Sequence, residues 1–154
     1  MYLALARHPS PPATVLDAYS GAMSGEKDLR KLLSGMRPEL NPGRYVFSTV
    51  DGVLPAGVTP VVTVAEREGL TVVALREEAD SAGLAYDYVA GWITLRVHSA
   101  LEAVGLTAAV AQELAAIGLS CNVIAGYHHD HLFVPYERAQ EAVTALAALA
   151  QGAA

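Results

Sequence analysis

The sequence predicts an α+β fold with antiparallel sheets and helices on one face, built from two similar units. Two observations carry this. The order strand, turn, strand, helix occurs over residues 61–82 and again over 121–150, each strand being a short apolar or β-branched run bounded by turn residues. Between the two blocks, Trp92, Thr94, Arg96 and His98 alternate with Ile93, Leu95 and Val97, the period of a strand with one buried face. From Trp92 onward the order is strand, helix, strand, strand, helix, a split βαβ pattern without its last strand. That strand must come from the first half or from a partner subunit, and the repeated order points to internal duplication.

Taken in order, residues 1–22 hold Pro9, Pro11 and Pro12 with no repeating apolar face and read as an irregular extension, with Met23 as an alternative start. Ser24 reads as the N-cap of a helix carrying Glu26 near its start and Leu29, Leu32, Leu33 and Met36 at helical spacing, ending before Pro38. After Asn41-Pro42-Gly43 comes a strand over 45–50, stopped by Asp51-Gly52. Strands over 61–65 and 70–75 flank the turn 66–69, and 76–82 reads as a short helix closed by Gly83. Ser99 and Glu102 have capping-box spacing ahead of a helix over 104–117 that Gly118 ends. Strands over 121–124 and 131–134 come next, then a helix over 137–150 whose inward face is Ala139, Ala142, Val143 and Leu146.

Composition narrows the function. With 154 residues, 53% of them apolar, the chain can bury a core. A net charge of -6 and scattered cations, of which only Arg30 and Lys31 are adjacent, argue against a nucleic-acid partner. The opening residues lack the basic region of a signal peptide, and no run is long and apolar enough to span a bilayer, so a soluble cytoplasmic protein without a membrane partner is expected. The single Cys121 fits a reducing compartment and reads as a small buried hydrophobe. There is no Gly-x-Ser-x-Gly elbow, phosphate loop or dinucleotide fingerprint. The acidic stretch Glu66, Glu68, Glu77, Glu78 and Asp80 reads as a solvated face. Neither catalysis nor a cofactor is expected.

The richest local chemistry is the turn Gly126-Tyr127-His128-His129-Asp130-His131, which holds three of the five histidines. One reading, the alternative to a non-catalytic role, is a divalent metal site on His128, His129 and His131, with Asp130 or His98 as further ligands, in a metal-binding protein or a metal-dependent enzyme. Alternation along an extended chain lets His129 and His131 converge while His128 points away. The spacing lacks the paired Cys-x-x-Cys or His-x-x-x-His signature of a structural zinc site. The other reading is a hairpin ordered by hydrogen bonds or lining a ligand pocket.

The segments 92–99, 101–109 and 121–131, together with Gly43-Arg44-Tyr45-Val46-Phe47-Ser48-Thr49-Val50 and Glu68-Gly69-Leu70-Thr71, resemble a bacterial family of small tandem ACT-domain proteins. The resemblance runs from Ser24 to Leu149. It implies two ACT units, each a ferredoxin-like βαββαβ variant, over 23–85 and 86–154, sharing strands or pairing sheets edge to edge. It also implies a sensor or regulatory protein, a homodimer, that binds a small molecule, an amino acid above all. Glu102, Val104 and Gly105 match the acidic, small-or-proline, glycine positions where the first strand meets the first helix, with Val104 departing from the common proline. The implied ligand contacts are Ser99, Glu102, Val104, Gly105 and Leu106, with Asn122, Val123, Ile124 and Ala125 as the other wall. Physically, a glycine at a helix start lets an anionic group approach free backbone N–H groups.

Overall fold

The structure, a computed structural model, describes residues 25–99 and 102–154. The expected extension over 1–22 and the Ser24 cap lie outside the described residues. The first helix, α1 (Leu29–Gly35), is capped by Asp28, whose carboxylate accepts the Lys31 N–H at 3.1 Å. Glu26 accepts the N–H groups of Lys27 and Asp28 in turn, so the acidic residues just ahead of the helix take up its approach.

Strands β1 (Pro38–Leu40) and β2 (Tyr45–Val50) come next, then β3 (Val62–Ala65), β4 (Leu70–Leu75), the short α2 (Arg76–Ser81) and β5 (Val89–Leu95). Helix α3 (Leu106–Ala116), strands β6 (Asn122–Ala125) and β7 (Asp130–Pro135), a 3-10 turn (Tyr136–Arg138) and α4 (Ala139–Gly152) complete the chain. The strands form one antiparallel sheet in the order β3-β4-β2-β5-β7-β6, with β1 also paired to β5.

Strand β5 answers the question of the missing strand. Its C-terminal half pairs with β1, Leu40 facing Ile93, while its first residues pair with β2, Tyr45 facing Ala90. The second unit is therefore β1-β5-β7-β6, completed from the first half of the chain. The first unit is β5-β2-β4-β3, completed by the start of β5. From Leu40 to Tyr45 the chain advances five residues while β5 recedes only three, from 93 to 90. The two extra residues are absorbed in a kink where Gly43 takes φ 100°. A side chain on Gly43 would also meet Leu75 at 2.7 Å.

Two expectations need correcting here. The strand read over 92–98 begins and ends three residues earlier, and both of its faces are covered: Ile93 and Leu95 on one, Thr94, only 3% exposed, on the other. Alternation of polar and apolar residues marks the pleat but not which polar residues find partners inside. The helix read over 104–117 is 106–116, and Ser99 does not cap it. The first unit has no helix between β2 and β3; residues 51–61 cross as a loop that buries Val58 and is pinned by Thr59 N–H on Glu78 Oε2 at 2.9 Å.

Three helices cover one face of the second unit. Leu32 and Met36, Leu106, Val110 and Leu114 from α3, and Ala142 and Leu146 from α4 pack with Ile93, Leu95, Leu132 and Val134. Helix α4 approaches β5 so closely that a Cβ on Gly91 would lie 2.5 Å from Ala139 Cβ. The opposite face carries an aromatic cluster: Tyr45, Phe47, Tyr88, Trp92 and Phe133, with Phe47 and Phe133 edge to face at 5.3 Å.

Candidate functional site

The end of β5 and the turn 126–129 lie at one end of the sheet, because Leu95 faces Asp130 and Asp130 faces Ala125. Gly105 is the N-cap of α3 at φ 103°, with no side-chain cap and no acidic residue in the first turn. The leading N–H groups of this helix are thus unclaimed by any capping side chain, and they favour an anion. Over the glycine sits the chain's own Leu29, whose Cδ2 is 3.0 Å from where a Cβ would stand. The preceding segment is held there by Glu26 N–H on His98 O at 2.9 Å and by an ion pair between Lys27 and Glu102.

The residues expected to bind ligand do not all gather at this helix start. Ser99 is half-buried, bridged to Glu26 and donating its N–H to Val97 O at 3.1 Å. It stands seven positions before the first residue of α3, too far for a capping box. Glu102 is exposed, and Lys27 holds its carboxyl below the usual carboxylate range. Val104 is 83% exposed, whereas Leu106 is in the core. On β6 the pleat separates neighbours: Val123 packs into the helix-side core and Ile124 against the aromatic face. Ala125 is exposed, and Asn122 is exposed with its amide donating to Phe133 O at 3.5 Å.

The histidines take separate partners. His129 Nδ1 lies 3.3 Å from Val97 O, the His98 and His128 rings are 5.8 Å apart, and His131 turns onto the aromatic face. The convergence of His129 and His131 expected from alternation is broken because His129 belongs to the turn and only His131 to β7. Among the described residues no three His, Cys, Asp or Glu side chains gather as a metal site.

A polar network that the sequence did not reveal lies on that aromatic face. Trp92 Nε1–H donates to His131 Nδ1 at 3.1 Å, and Thr94 Oγ1 stands 3.2 Å from the same nitrogen. Asn41 donates from Nδ2 to Thr94 Oγ1 at 2.9 Å and to Trp92 O at 3.1 Å. Acceptance from the indole requires an unprotonated Nδ1. Burial, with a smaller contribution from His129, lowers the His131 pKa against the opposing pull of Asp130. Asp130 itself is pushed up by burial. A threonine amid apolar strand residues was the available signal; Asn41 looked like an ordinary turn residue. The Tyr88 hydroxyl, enclosed without a well-aligned hydrogen-bond partner among the described residues, is pushed up by burial, with Ser120 and Asn122 close enough to act in the opposite direction. Burial raises the Cys121 thiol to about 11, which leaves little thiolate and agrees with a packing role.

Comparison with known proteins matches the ACT domain twice, over residues 24–91 and 88–148. The two matches overlap at the start of β5, the strand both units use. A crystallised Vibrio cholerae protein, described as of unknown function and a possible transport protein, is 53% identical, with a TM-score of 0.74 over 81% of this chain and 98% of that one. A protein from Agrobacterium tumefaciens shares the fold at 17% identity and a TM-score of 0.57, covering 75% of this chain and 89% of that one. So does the regulatory subunit of aspartate kinase from Thermus thermophilus, at 9% identity, a TM-score of 0.56, and coverage of 73% and 95%. No curated protein matches the sequence.

Proposed function

Because the chain belongs to the ACT-domain family and carries two such domains in tandem, we propose that it is a small-molecule sensor or regulatory protein whose ligand is an amino acid. It has no catalysis of its own in this reading. The observation that carries the proposal is the start of α3: Gly105 at positive φ opens a helix whose first N–H groups have no capping side chain and no competing carboxylate. A ligand carboxylate suits these N–H groups electrostatically, and its entry requires Leu29, which now covers Gly105, to turn aside. In this reading Glu102, Val104 and Gly105 line the helix start, with Glu102 passing from Lys27 to the ligand ammonium; Leu106 and Val123, packed in the helix-side core, and Ile124, on the opposite face of the sheet, do not join them. The fold shared with an aspartate kinase regulatory subunit supports the regulatory part of the reading. Homodimerisation is part of the same proposal. Its support is that, among the described residues, β3 and β6 end the sheet as short unpaired edges. In this scheme 23–85 and 86–154 are the two units, interlocked through β1 and β5.

The test is a thermal-shift screen of the twenty amino acids at millimolar concentration, then calorimetry on the best. At a hundredfold excess over Kd, binding adds about 2.7 kcal/mol of stability, a visible shift in a domain of this size. The variant Ala108→Glu places a carboxylate in the exposed first turn of α3. It should leave the helix intact or firmer while repelling the ligand carboxylate. No shift with any amino acid, or undiminished binding by Ala108→Glu, would sink the proposal.

A further inference from the structure

We propose that the first unit holds a second, separate ligand site, a cleft of about 680 Å3 beside the free edge of β2, and that it takes a small organic cation, a protonated amine on an apolar body. The volume is in the range of small-ligand pockets. The cleft exists because β2 pairs with β4 along its whole length but with β5 only at Tyr45 and Val46. Beyond that point the edge of β2 faces residues 85–87, which run alongside without pairing.

Its walls are fixed by hydrogen bonds among themselves. Ser48 Oγ donates to Ala85 O at 2.8 Å, tying the loop to β2. Thr71, directly opposite Thr49 in the ladder, donates its hydroxyl to Glu66, holding that carboxylate over the opening. Tyr86 donates its hydroxyl to Asp80 Oδ1 at 2.6 Å and accepts from Arg76 Nε at 3.0 Å. Arg76 also pairs with Asp80 at 3.5 Å, so the nearby guanidinium already has its counter-ion.

The charge of the lining then selects the ligand. It contains two carboxylates, Glu66 and Asp87, and no Lys, Arg or His. Among the described residues Asp87 has neither an ion pair nor a side-chain hydrogen bond. Phe47 and Tyr86 supply ring surface for an apolar body, while the Arg76 guanidinium already stands 6.0 Å from the Tyr86 ring centre, so the two carboxylates carry the cation. A ligand with its own carboxylate would meet two like charges and no donor cation. The selectivity is thus opposite in sign to that of the α3 start, and this site stands or falls independently of the amino-acid reading.

The experiment is calorimetry at low salt with phenethylamine and 1,5-diaminopentane as probes and phenylacetate as the anionic control. Saturable binding of at least one amine is expected, with no binding of phenylacetate and weakening as salt rises. The double variant Glu66→Gln with Asp87→Asn keeps the shape and the Thr71 bond, and both side chains are exposed, so its melting temperature should match the wild type. It should lose about tenfold or more in amine affinity, while Ala108→Glu leaves amine binding unchanged. No saturable heat with either amine, equal binding of phenylacetate, or full affinity in the double variant would overturn the proposal.

Discussion

The hairpins β3-β4 and β6-β7 are the same object sixty residues apart, 62 to 122 and 73 to 133. Val62 faces Val73 as Asn122 faces Phe133, and Ala65 faces Leu70 as Ala125 faces Asp130. The buried triplets also correspond, Val72, Val73 and Ala74 with Leu132, Phe133 and Val134. The elements packed on the two hairpins differ. In the first unit the hairpin meets a six-residue helix and a loop; in the second it meets α4, α3 and α1. Identical backbone pairing therefore supports unequal cores, because the strands set register while the covering helices set how much apolar surface leaves water. The second unit is the packed half, and the first keeps the open edge beside β2.

The strongest way to break this comparison is to separate the halves. A fragment of residues 86–154 lacks β1, and with it one neighbour of β5 and the Leu32 and Met36 side of the core. It should show no cooperative urea transition; a two-state unfolding curve from the fragment would refute the interlocked arrangement.

The next test compares matched positions. Phe133→Ala should cost about 4 kcal/mol, as it empties a fully buried ring site in the aromatic cluster. Val73→Ala, its counterpart, should cost about 2 kcal/mol for the smaller volume removed. Both side chains sit in the cluster on the face opposite the helices, so equal losses measured by denaturant titration would mean that the volume removed does not set the cost at these matched positions. Gly91→Ala should cost about 1–3 kcal/mol by forcing α4 off β5. A neutral result would show that α4 is loosely docked.

The smallest effect is on pH. His131 has a folded pKa below its ordinary 6.5, so the unfolded chain binds the extra proton first. Its contribution is fully present above pH 6.5 and is lost as pH falls from there through the lower folded value, below which it changes no further. Asp130, raised by burial, works in the opposite sense in the more acidic range above 3.8. His129, Asp130 and Arg96 are the charged groups acting on His131. Trp92 is the only tryptophan and its indole N–H rests on His131 Nδ1. Its fluorescence should therefore titrate with a midpoint below 6.5, and His131→Gln should abolish the step. A midpoint at or above 6.5 would show that His131 is not held neutral.

Much of this was legible in the chain. Strands 45–50 and 70–75 fall on the residues expected, and so does the apolar face of α4, while of the α1 set Leu32, Leu33 and Met36 reach the core and Leu29 stays exposed. Local periodicity determines these, since a side chain's face is set by 2.0 or 3.6 residues per repeat. Asp28 caps α1 directly ahead of Leu29, a role that apolar periodicity does not assign, because any of several polar residues near a helix start can take its free N–H groups. Ser99 and Glu102 satisfy the spacing of a capping box, yet the loop between β5 and α3 spans ten residues before the helix begins at Leu106. Spacing proposes a cap; the path between two packed elements decides whether it forms.

By itself the sequence determined the class, the duplicated strand-turn-strand-helix order and the family, all of which rest on residues near one another in the chain. Tertiary structure alone decided that β1 completes the second unit and that β5 serves both. It also placed Leu29 over Gly105 and joined Asn41, Thr94, Trp92 and His131 in one network. These contacts join residues 37 to 76 positions apart, as Thr94 and His131 or Leu29 and Gly105 show. At such separations periodicity carries no information, and the partner is fixed by which backbone edges and apolar faces remain to be paired.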